Sequence, residues 1–323
     1  MISNLVHTFD NAHTDLILMC KDTMVYNVST ETVINEQLLP GYMKQLPCEY
    51  TFKEWMKFRY SSLSNSLARK LRGIVFGQGN RLRINIETGA FSLSDCYWLK
   101  YKNSIKQFQQ VSPYFADFWK GTEEYKGEAI PSLYVGGALD KYWDNKGNLI
   151  KVGKGIENEI LAMQLCDACS IPCNRIIIVP EGICIKNFTN SNLMLEQADA
   201  SGKFDSEDFT DLDVVETFGE KGIEMLVVDA ITANTDRHAG NFGFLRDANT
   251  GNYLGMAPLY DFDQVLGSNN PNDVLVKGVL QVMEQFPIYR DRAIRIAETA
   301  MNTDLHLVFS ERAKIILDAL QAK

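Results

Sequence analysis

The sequence predicts an α+β fold made of two lobes, with a sheet-rich first lobe and a helical second lobe. The chain has 323 residues, which is more than a single minimal domain requires. Short strand-like segments separated by turns occupy its first half, whereas long helical patterns occupy its second half. We therefore expect a cleft between the two lobes.

Composition and charge exclude several classes of protein. With 46% hydrophobic and 23% charged residues, the chain has enough apolar material for two cores. No apolar run approaches the roughly 18 residues that span a bilayer, and the first residues lack the pattern of a secretory signal. We therefore expect a cytoplasmic protein without membrane contact. The net charge of −9 argues against direct binding of nucleic acid.

The first half is predicted to consist of short strands and helices. Strands are expected over Leu16–Cys20 and 24–28, and helices over 51–60 and 64–72. The elements predicted after residue 128 are a hairpin with strands over 141–143 and 149–152, a helix over 156–168, a buried strand over 175–179 and a further strand over 183–186. The hairpin begins at a small-residue loop, GGALDK, that ends in a lysine.

The second half is predicted to be mainly helical around one polar loop. A single long helix is expected over 214–233, and the chain is again mostly helical from residue 281. Between them, the polar loop 234–241 precedes a hairpin with strands over 242–245 and 253–257. The hairpin returns the chain to the loop, so the segment that follows it, APLYDFD, should lie beside the loop.

Two polar residues of this loop, Asp236 and Asn241, have the spacing Asp-x4-Asn that protein kinases use in their catalytic loop. Phosphoryl transfer needs a carboxylate beside the attacking hydroxyl and ligands that hold Mg²⁺. Asp261, delivered by the hairpin, is a second candidate ligand, because hard carboxylate and amide oxygens suit Mg²⁺. Each residue alone is typical of a turn or a helix cap. The helix, loop, hairpin and YDF motif together predict a phosphoryl-transfer site.

The segments NTDRHAGNFGFL and APLYDFD resemble the signature of HipA-like serine/threonine kinases. The similarity extends from about residue 130 to residue 266 and includes GGALDK, which resembles the family's phosphate loop. This resemblance implies a two-lobed, protein-kinase-like fold. It divides the chain into an N-terminal subdomain of the first lobe (1–125), a nucleotide-binding part of that lobe (126–190) and a helical second lobe with the catalytic loop (191–323).

The resemblance also implies roles for individual residues. Asp236 would be the catalytic carboxylate with Asn241 beside it, and Asn241 and Asp261 would bind Mg²⁺. Lys151 would hold a phosphate of ATP, with Glu159 nearby to orient the lysine. The other implied nucleotide-binding residues belong to the phosphate loop and to the hinge beside adenine: Gly136, Gly137, Ala138, Leu139, Asn187 and Phe188.

The implied function is transfer of the γ-phosphate of ATP, with Mg²⁺, to a serine or threonine hydroxyl of a protein substrate. HipA-like kinases include toxins of toxin–antitoxin pairs, so a small helix-turn-helix antitoxin is a second expected partner, and any contact with DNA would be indirect. Two alternatives stay open at this point. The chain could be a kinase for a lipid or small molecule, or a nucleotide-binding pseudokinase with a regulatory role.

Overall fold

The computed structural model describes residues 15–59, 86, 89–115, 140–153, 155–204, 209–268, 270 and 274–322. The predicted helix over 64–72 and the phosphate-loop residues 136–139 lie outside these ranges. The predicted boundary near residue 125 lies outside them as well. The predicted boundary near residue 190 stays a prediction.

The described N-terminal part is an antiparallel sheet covered by short helices, with the strand order β3-β2-β1-β4. Its elements are β1 (Leu16–Cys20), β2 (Thr23–Asn27), β3 (Thr32–Val33), α1 (Gly41–Lys44), α2 (Glu49–Lys57), β4 (Tyr97–Tyr101) and α3 (Phe108–Val111). Phe52 and Trp55 of α2 are buried in one core with the apolar residues of β1 and β4. The predicted strand β1 and the predicted helix near residue 51 are therefore confirmed.

A second antiparallel sheet has the order β5-β6-β8-β7. It consists of β5 (Asp140–Trp143), β6 (Leu149–Val152), β7 (Ile176–Val179) and β8 (Gly182–Ile185). Asp144 closes the turn between β5 and β6, because its Oδ1 accepts hydrogen bonds from the amides of Lys146 (2.9 Å) and Asn148 (2.8 Å). The predicted hairpin is confirmed.

The prediction of a buried strand over 175–179 is wrong about burial. In the described sheet β7 is an edge strand, and its residues Ile177 and Ile178 are 50% and 73% exposed. The continuous apolar run IIIV is typical of a central, buried strand. Its place in the sheet depends instead on β8, which pairs with β7 on one side and with β6 on the other.

Helix α4 (Ile156–Ala168) has the predicted bounds. It begins after Gly155, whose φ of +94° lies in the left-handed region that glycine tolerates best. It ends shortly before Ser170, which has a φ of +55°, and Pro172 then prevents the helix from continuing. The buried face of α4 includes Glu159, so the helix carries this carboxylate into the interior.

The rest of the described chain is a small sheet followed by a helical lobe. The sheet has the order β11-β10-β9. The elements are β9 (Leu193–Gln197), α5 (Asp211–Phe218), α6 (Glu220–Thr232), β10 (Gly243–Asp247), β11 (Tyr253–Met256), α7 (Val274–Gln285), α8 (Arg290–Asn302) and α9 (Leu307–Gln321). Helix α6 is central, because α5, α7, α8 and α9 all pack against it. Within the described ranges, every helix is too short or too polar to cross a membrane.

The single helix predicted over 214–233 is in fact two helices, α5 and α6. The break is at Gly219, whose φ of 60° and ψ of −130° are outside the helical region and are accessible mainly to glycine. The apolar pattern continues across the break, so periodicity alone predicts one helix. The break lets α5 fold back along α6, and α6 then leads directly into the loop 234–241.

Candidate active site

The buried carboxylate of Asp229, near the end of α6, holds the start of the loop 234–241. Arg237 donates to it from Nε (2.8 Å) and from Nη2 (3.0 Å), which makes a bidentate ion pair. Asn234 Nδ2 donates to the same carboxylate at 2.8 Å. Ala233, which follows the last residue of α6, has a left-handed φ of 55°, and this conformation ends the helix. The loop is thus fixed by its own side chains, Asn234 and Arg237, and by Asp229 of α6.

Arg237 also connects the loop to the segment that follows the hairpin. Its Nη1 donates to the carbonyl oxygens of Asn241 (2.5 Å) and Tyr260 (2.8 Å). Its guanidinium lies over the ring of Phe262 at 4.9 Å from the centroid. One arginine therefore positions the residues on either side of Asp261 relative to Asn241.

Asp236 and Asn241 lie together at the edge of a cavity of about 550 Å³. The Asp236 residue is exposed, whereas Asn241 is buried. Asn241 Nδ2 donates to the carbonyl oxygen of Asp236 at 2.9 Å, which leaves Oδ1 of Asn241 as an acceptor. Asp261 lines the same cavity. The structure therefore brings together the three residues that the sequence placed in the catalytic loop and the YDF motif.

Lys151 on β6 joins two of the predicted residues through its Nζ atom. Nζ donates to Oε1 of Glu159 on α4 and to Oδ1 of Asp261, the latter at 2.6 Å. The Lys151 side chain is only 2% exposed. Burial by itself lowers the pKa of Lys151, but the carboxylates of Glu159 and Asp261 outweigh this effect and raise the pKa above its usual range. The amine therefore stays a cation at neutral pH.

The residues near Asp261 fit a divalent cation of the Mg²⁺ type. Burial favours the neutral form of Asp261, but the charges of Lys151 and Lys141 outweigh it and lower the pKa of the carboxyl group. Asp261 is therefore an anion at neutral pH, and it is partly exposed to the cavity. Together with the amide oxygen of Asn241, it supplies the hard oxygen donors that Mg²⁺ prefers. Asp263 lines the cavity as well.

Lys141 is a site residue that the sequence analysis did not single out beyond its place at the end of GGALDK. It pairs directly across the hairpin with Lys151, so the two lysine side chains leave the sheet on the same face. Lys141 is buried, and burial, together with the charge of Lys151, lowers its pKa. It lines the large cavity. The pairing of Lys141 with Lys151 across the predicted hairpin would have indicated that Lys141 lies on the same face of the sheet as Lys151.

A second cavity, of about 170 Å³, adjoins the first and lies against Lys151, Asp261 and the predicted hinge. Asn187 and Phe188 both line it. The Asn187 side chain is occupied, because its Nδ2 donates to the carbonyl of Leu93 (2.9 Å) and its Oδ1 accepts from Thr189. Asn187 is thus available to a ligand mainly through its backbone, whereas Phe188 offers a ring. The four predicted residues 136–139 lie outside the described part of the chain.

Two further side chains fix the middle of the loop, and the sequence analysis did not identify them. Gln197 Nε2 donates to the carbonyl oxygen of Gly240 at 2.7 Å, and the Tyr260 hydroxyl donates to the same oxygen at 3.1 Å. The ring of Tyr260 is 6.1 Å from that of Phe188. Tyr260 therefore contacts both the second cavity and the loop that carries Asp236.

Comparison with known proteins agrees with this arrangement at the level of the fold. The chain is similar to HipA of Shewanella oneidensis MR-1, solved as a toxin–antitoxin system with HipB and its operator DNA. The TM-score is 0.60 and the identity 13%, over 95% of this chain and 97% of that one. A Helicobacter pylori proinflammatory kinase, CtkA, matches 58% of this chain and 92% of its own, with 18% identity and a TM-score of 0.35. The sequence matches no protein-family model and no curated protein.

The first of these similarities identifies the class of fold. It covers nearly the whole of both chains, so the predicted two-lobed α+β fold is confirmed. The chain has a HipA-like fold, and the resemblance inferred from NTDRHAGNFGFL and APLYDFD is confirmed at that level.

Proposed function

We propose that this protein is an ATP- and Mg²⁺-dependent serine/threonine protein kinase of the HipA-like type. One observation carries the proposal. Lys151 is bonded to both Glu159 and Asp261, and Asp261 shares the wall of one cavity with Asp236 and Asn241. A buried cation, two candidate metal ligands and an exposed carboxylate around one space support phosphoryl transfer.

The nucleotide side of the site consists of the smaller cavity and the two lysines. The cavity of about 170 Å³ offers Phe188 and other apolar side chains for a base. Lys141 lines both cavities and Lys151 lines the smaller one, so the two lysines would hold the phosphates by charge. Asn241 and Asp261 would hold Mg²⁺, which neutralises the charge of the phosphates when it is bound.

The acceptor side of the site is the exposed carboxylate of Asp236. It faces the cavity of about 550 Å³, which extends to Trp55 and Phe58 at the end of α2. In this space a serine or threonine hydroxyl would donate to Asp236, which orients the hydroxyl and takes its proton. The extension of the cavity to aromatic side chains of α2 supports a polypeptide segment as the substrate.

The test is incubation with Mg·ATP labelled on the γ-phosphate, followed by analysis of label on proteins of a cell lysate. We expect transfer by the wild type and a loss of about 100-fold or more in Asp236→Asn, with ATP binding retained because Asp236 is not on the base side. Asp318→Asn, which changes an exposed carboxylate on α9, should transfer label as the wild type does. Transfer that survives in Asp236→Asn would contradict the assignment. ATP binding without transfer by the wild type would favour a regulatory pseudokinase.

We further propose that the kinase acts in the cytoplasm as the toxin of a toxin–antitoxin pair. Support comes from the similarity of its fold to HipA, which was solved with HipB and operator DNA. The partner would be a small helix-turn-helix protein, and DNA would be contacted through that partner. The same Asp236→Asn variant provides the readout. Production of the wild type should arrest bacterial growth, the variant should not, and co-production of a helix-turn-helix protein encoded beside it should relieve the arrest.

A further inference from the structure

Asp199 lines the cavity of about 550 Å³ and is attached to the loop that carries Asp236. It comes shortly after β9 and begins a short 3₁₀ turn. Its amide donates to the carbonyl of Ala239 in the loop at 3.2 Å, and Oδ1 of its side chain accepts from the amide of Ala200 at 2.7 Å. These bonds fix the backbone of Asp199 and one oxygen of its carboxylate beside the loop.

The second oxygen of this carboxylate, Oδ2, lies close to the loop and is open to solvent. It is 3.5 Å from the point where a Cβ atom on Gly240 would be, and Gly240 lines the same cavity. In the described part of the chain, no residue donates a hydrogen bond to Oδ2. It is nevertheless not one of the buried side-chain atoms that lack a hydrogen-bond partner, so solvent reaches it. A donor in the cavity can therefore approach this oxygen.

Asp199 also lacks a lysine or arginine partner among the described residues, unlike several other carboxylates of the cavity. Three of these are ion-paired within the protein: Asp95 with Arg59, Glu196 with Arg246, and Asp261 with Lys151. The basic group that acts on the charge of Asp199 is His238, whose Nδ1 accepts from the amide of Gly240 at 3.1 Å. Partial burial raises the pKa of Asp199, because the anion loses hydration without gaining a cation.

The position of Asp199 relative to Asp236 indicates what could supply that cation. Both residues line one cavity, and Asp199 is bonded to the loop three residues after Asp236. A polypeptide whose hydroxyl contacts Asp236 would therefore pass Asp199. The long side chains of lysine and arginine end in donors that carry a positive charge, and such donors form the stronger hydrogen bonds with carboxylates.

We infer that Asp199 is a substrate-specificity residue, which bonds to an arginine or lysine close in sequence to the acceptor serine or threonine. This inference rests on the proposed function, because it places a polypeptide acceptor in the cavity. A basic side chain would return to the carboxylate the stabilisation that partial burial removes. A neutral side chain would not do so, and an acidic one would be repelled, so the same oxygen also selects against other substrates.

The experiment measures phosphate transfer from Mg·ATP to serine peptides by the full-length chain. Each peptide carries one arginine, or its neutral isostere citrulline, within about four residues of the serine. For the wild type we expect kcat/KM to be about 10-fold higher with arginine than with citrulline at one or more positions. Asp199→Asn should lose this preference by slowing transfer to the arginine peptide alone. Asp318→Asn, which changes an exposed carboxylate on α9, should keep it.

Reversal of the charge separates recognition of the substrate from a structural role. Asp199→Lys should prefer glutamate at the position where the wild type prefers arginine, and a mere loss of packing would not produce this exchange. If Asp199→Lys does not fold, as judged by circular dichroism, the comparison of Asp199→Asn with the wild type decides.

The outcomes also separate this inference from the proposed function. Equal transfer to arginine and citrulline peptides by the wild type, or a full preference in Asp199→Asn, overturns the role of Asp199 and leaves the kinase standing. If lysate proteins accept phosphate and peptides do not, the labelled sites are mapped by mass spectrometry, and sites without a nearby arginine or lysine overturn the role. If neither peptides nor proteins are labelled, the proposed function fails, and the inference fails with it.

Discussion

At the scale of single residues, Asp261 combines a left-handed backbone with a carboxylate that is bonded to a buried lysine. Its φ of 59° is in the left-handed region, which aspartate tolerates better than most residues but which still costs about 1 kcal/mol or more. Lys151 bonds to its carboxylate, and Arg237 bonds to the carbonyl of Tyr260 just before it. These contacts hold the carboxylate toward the cavity. Such local strain is found where the surrounding structure fixes a residue for a task.

A first prediction concerns Tyr260, which we expect to act by positioning the loop. Tyr260→Phe keeps the ring beside Phe188 and removes the hydroxyl that donates to Gly240. Because Gln197 still donates to the same carbonyl, the loop should loosen without unfolding. We expect kcat to fall about 10-fold while the KM for ATP is nearly unchanged. Steady-state kinetics measure both values.

The control for this prediction is Tyr50→Phe, since Tyr50 is 67% exposed and lies far from the loop in sequence. It should leave both kinetic constants unchanged. A rise in the KM for ATP with an unchanged kcat in Tyr260→Phe would instead assign the hydroxyl to nucleotide binding.

At the scale of elements, two local features determine the geometry of the site. The register of the β5–β6 hairpin pairs Lys141 with Lys151, so a shift of one strand by one residue would turn its lysine to the other face of the sheet. The break at Gly219 sets where α6 begins and lets α5 pack beside it. Helix α6 then carries Asp229, which holds the loop through Arg237.

A prediction at this scale is that Gly219→Ala destabilises the protein by about 1–3 kcal/mol. The backbone there has a φ of 60° and a ψ of −130°, and a Cβ atom would lie 3.0 Å from the hydroxyl of Tyr289. Thermal unfolding followed by circular dichroism would show a lower midpoint. Thr217→Ala, an exposed change in α5, is the control. An unchanged midpoint in Gly219→Ala would mean that the break is not required.

At the scale of the whole molecule, Arg246 on β10 joins the N-terminal sheet to the rest of the chain. It is fully buried. Its guanidinium donates to the carbonyls of Gln37 (2.7 Å) and Leu39 (2.8 Å), and to the hydroxyl of Tyr97 (2.8 Å). It also bonds to Glu196 at 3.2 Å. Glu196 is the neighbour of Gln197, which reaches the loop. The N-terminal part is therefore linked to the site through β9.

The corresponding prediction is that Arg246→Met lowers the free energy of unfolding by about 3–5 kcal/mol. The loss is large because Glu196 would remain buried without its cation. The double variant Arg246→Met/Glu196→Gln should recover part of the loss, since the uncompensated charge is removed. Thermal unfolding compares the variants, with Arg295→Ala at an exposed position of α8 as the control. A double variant less stable than Arg246→Met would contradict the explanation.

The sequence by itself determined those features that depend on local patterns. The bounds of α4, the β5–β6 hairpin and β1 follow from apolar periodicity and turn residues. The presence of Asp236, Asn241 and Asp261 in one cavity was predictable because a fixed spacing and a following hairpin suffice to bring three polar residues together. The two-lobed α+β class followed from the order of the elements along the chain.

Only the tertiary structure decided the features that depend on neighbours distant in sequence. The edge position of β7, the inward direction of Lys141 and the burial of Arg246 each require knowledge of which strand or segment lies alongside. Local propensity acts over a few residues. The pairing of strands and the hydrogen bonding of buried polar groups are instead properties of the assembled fold.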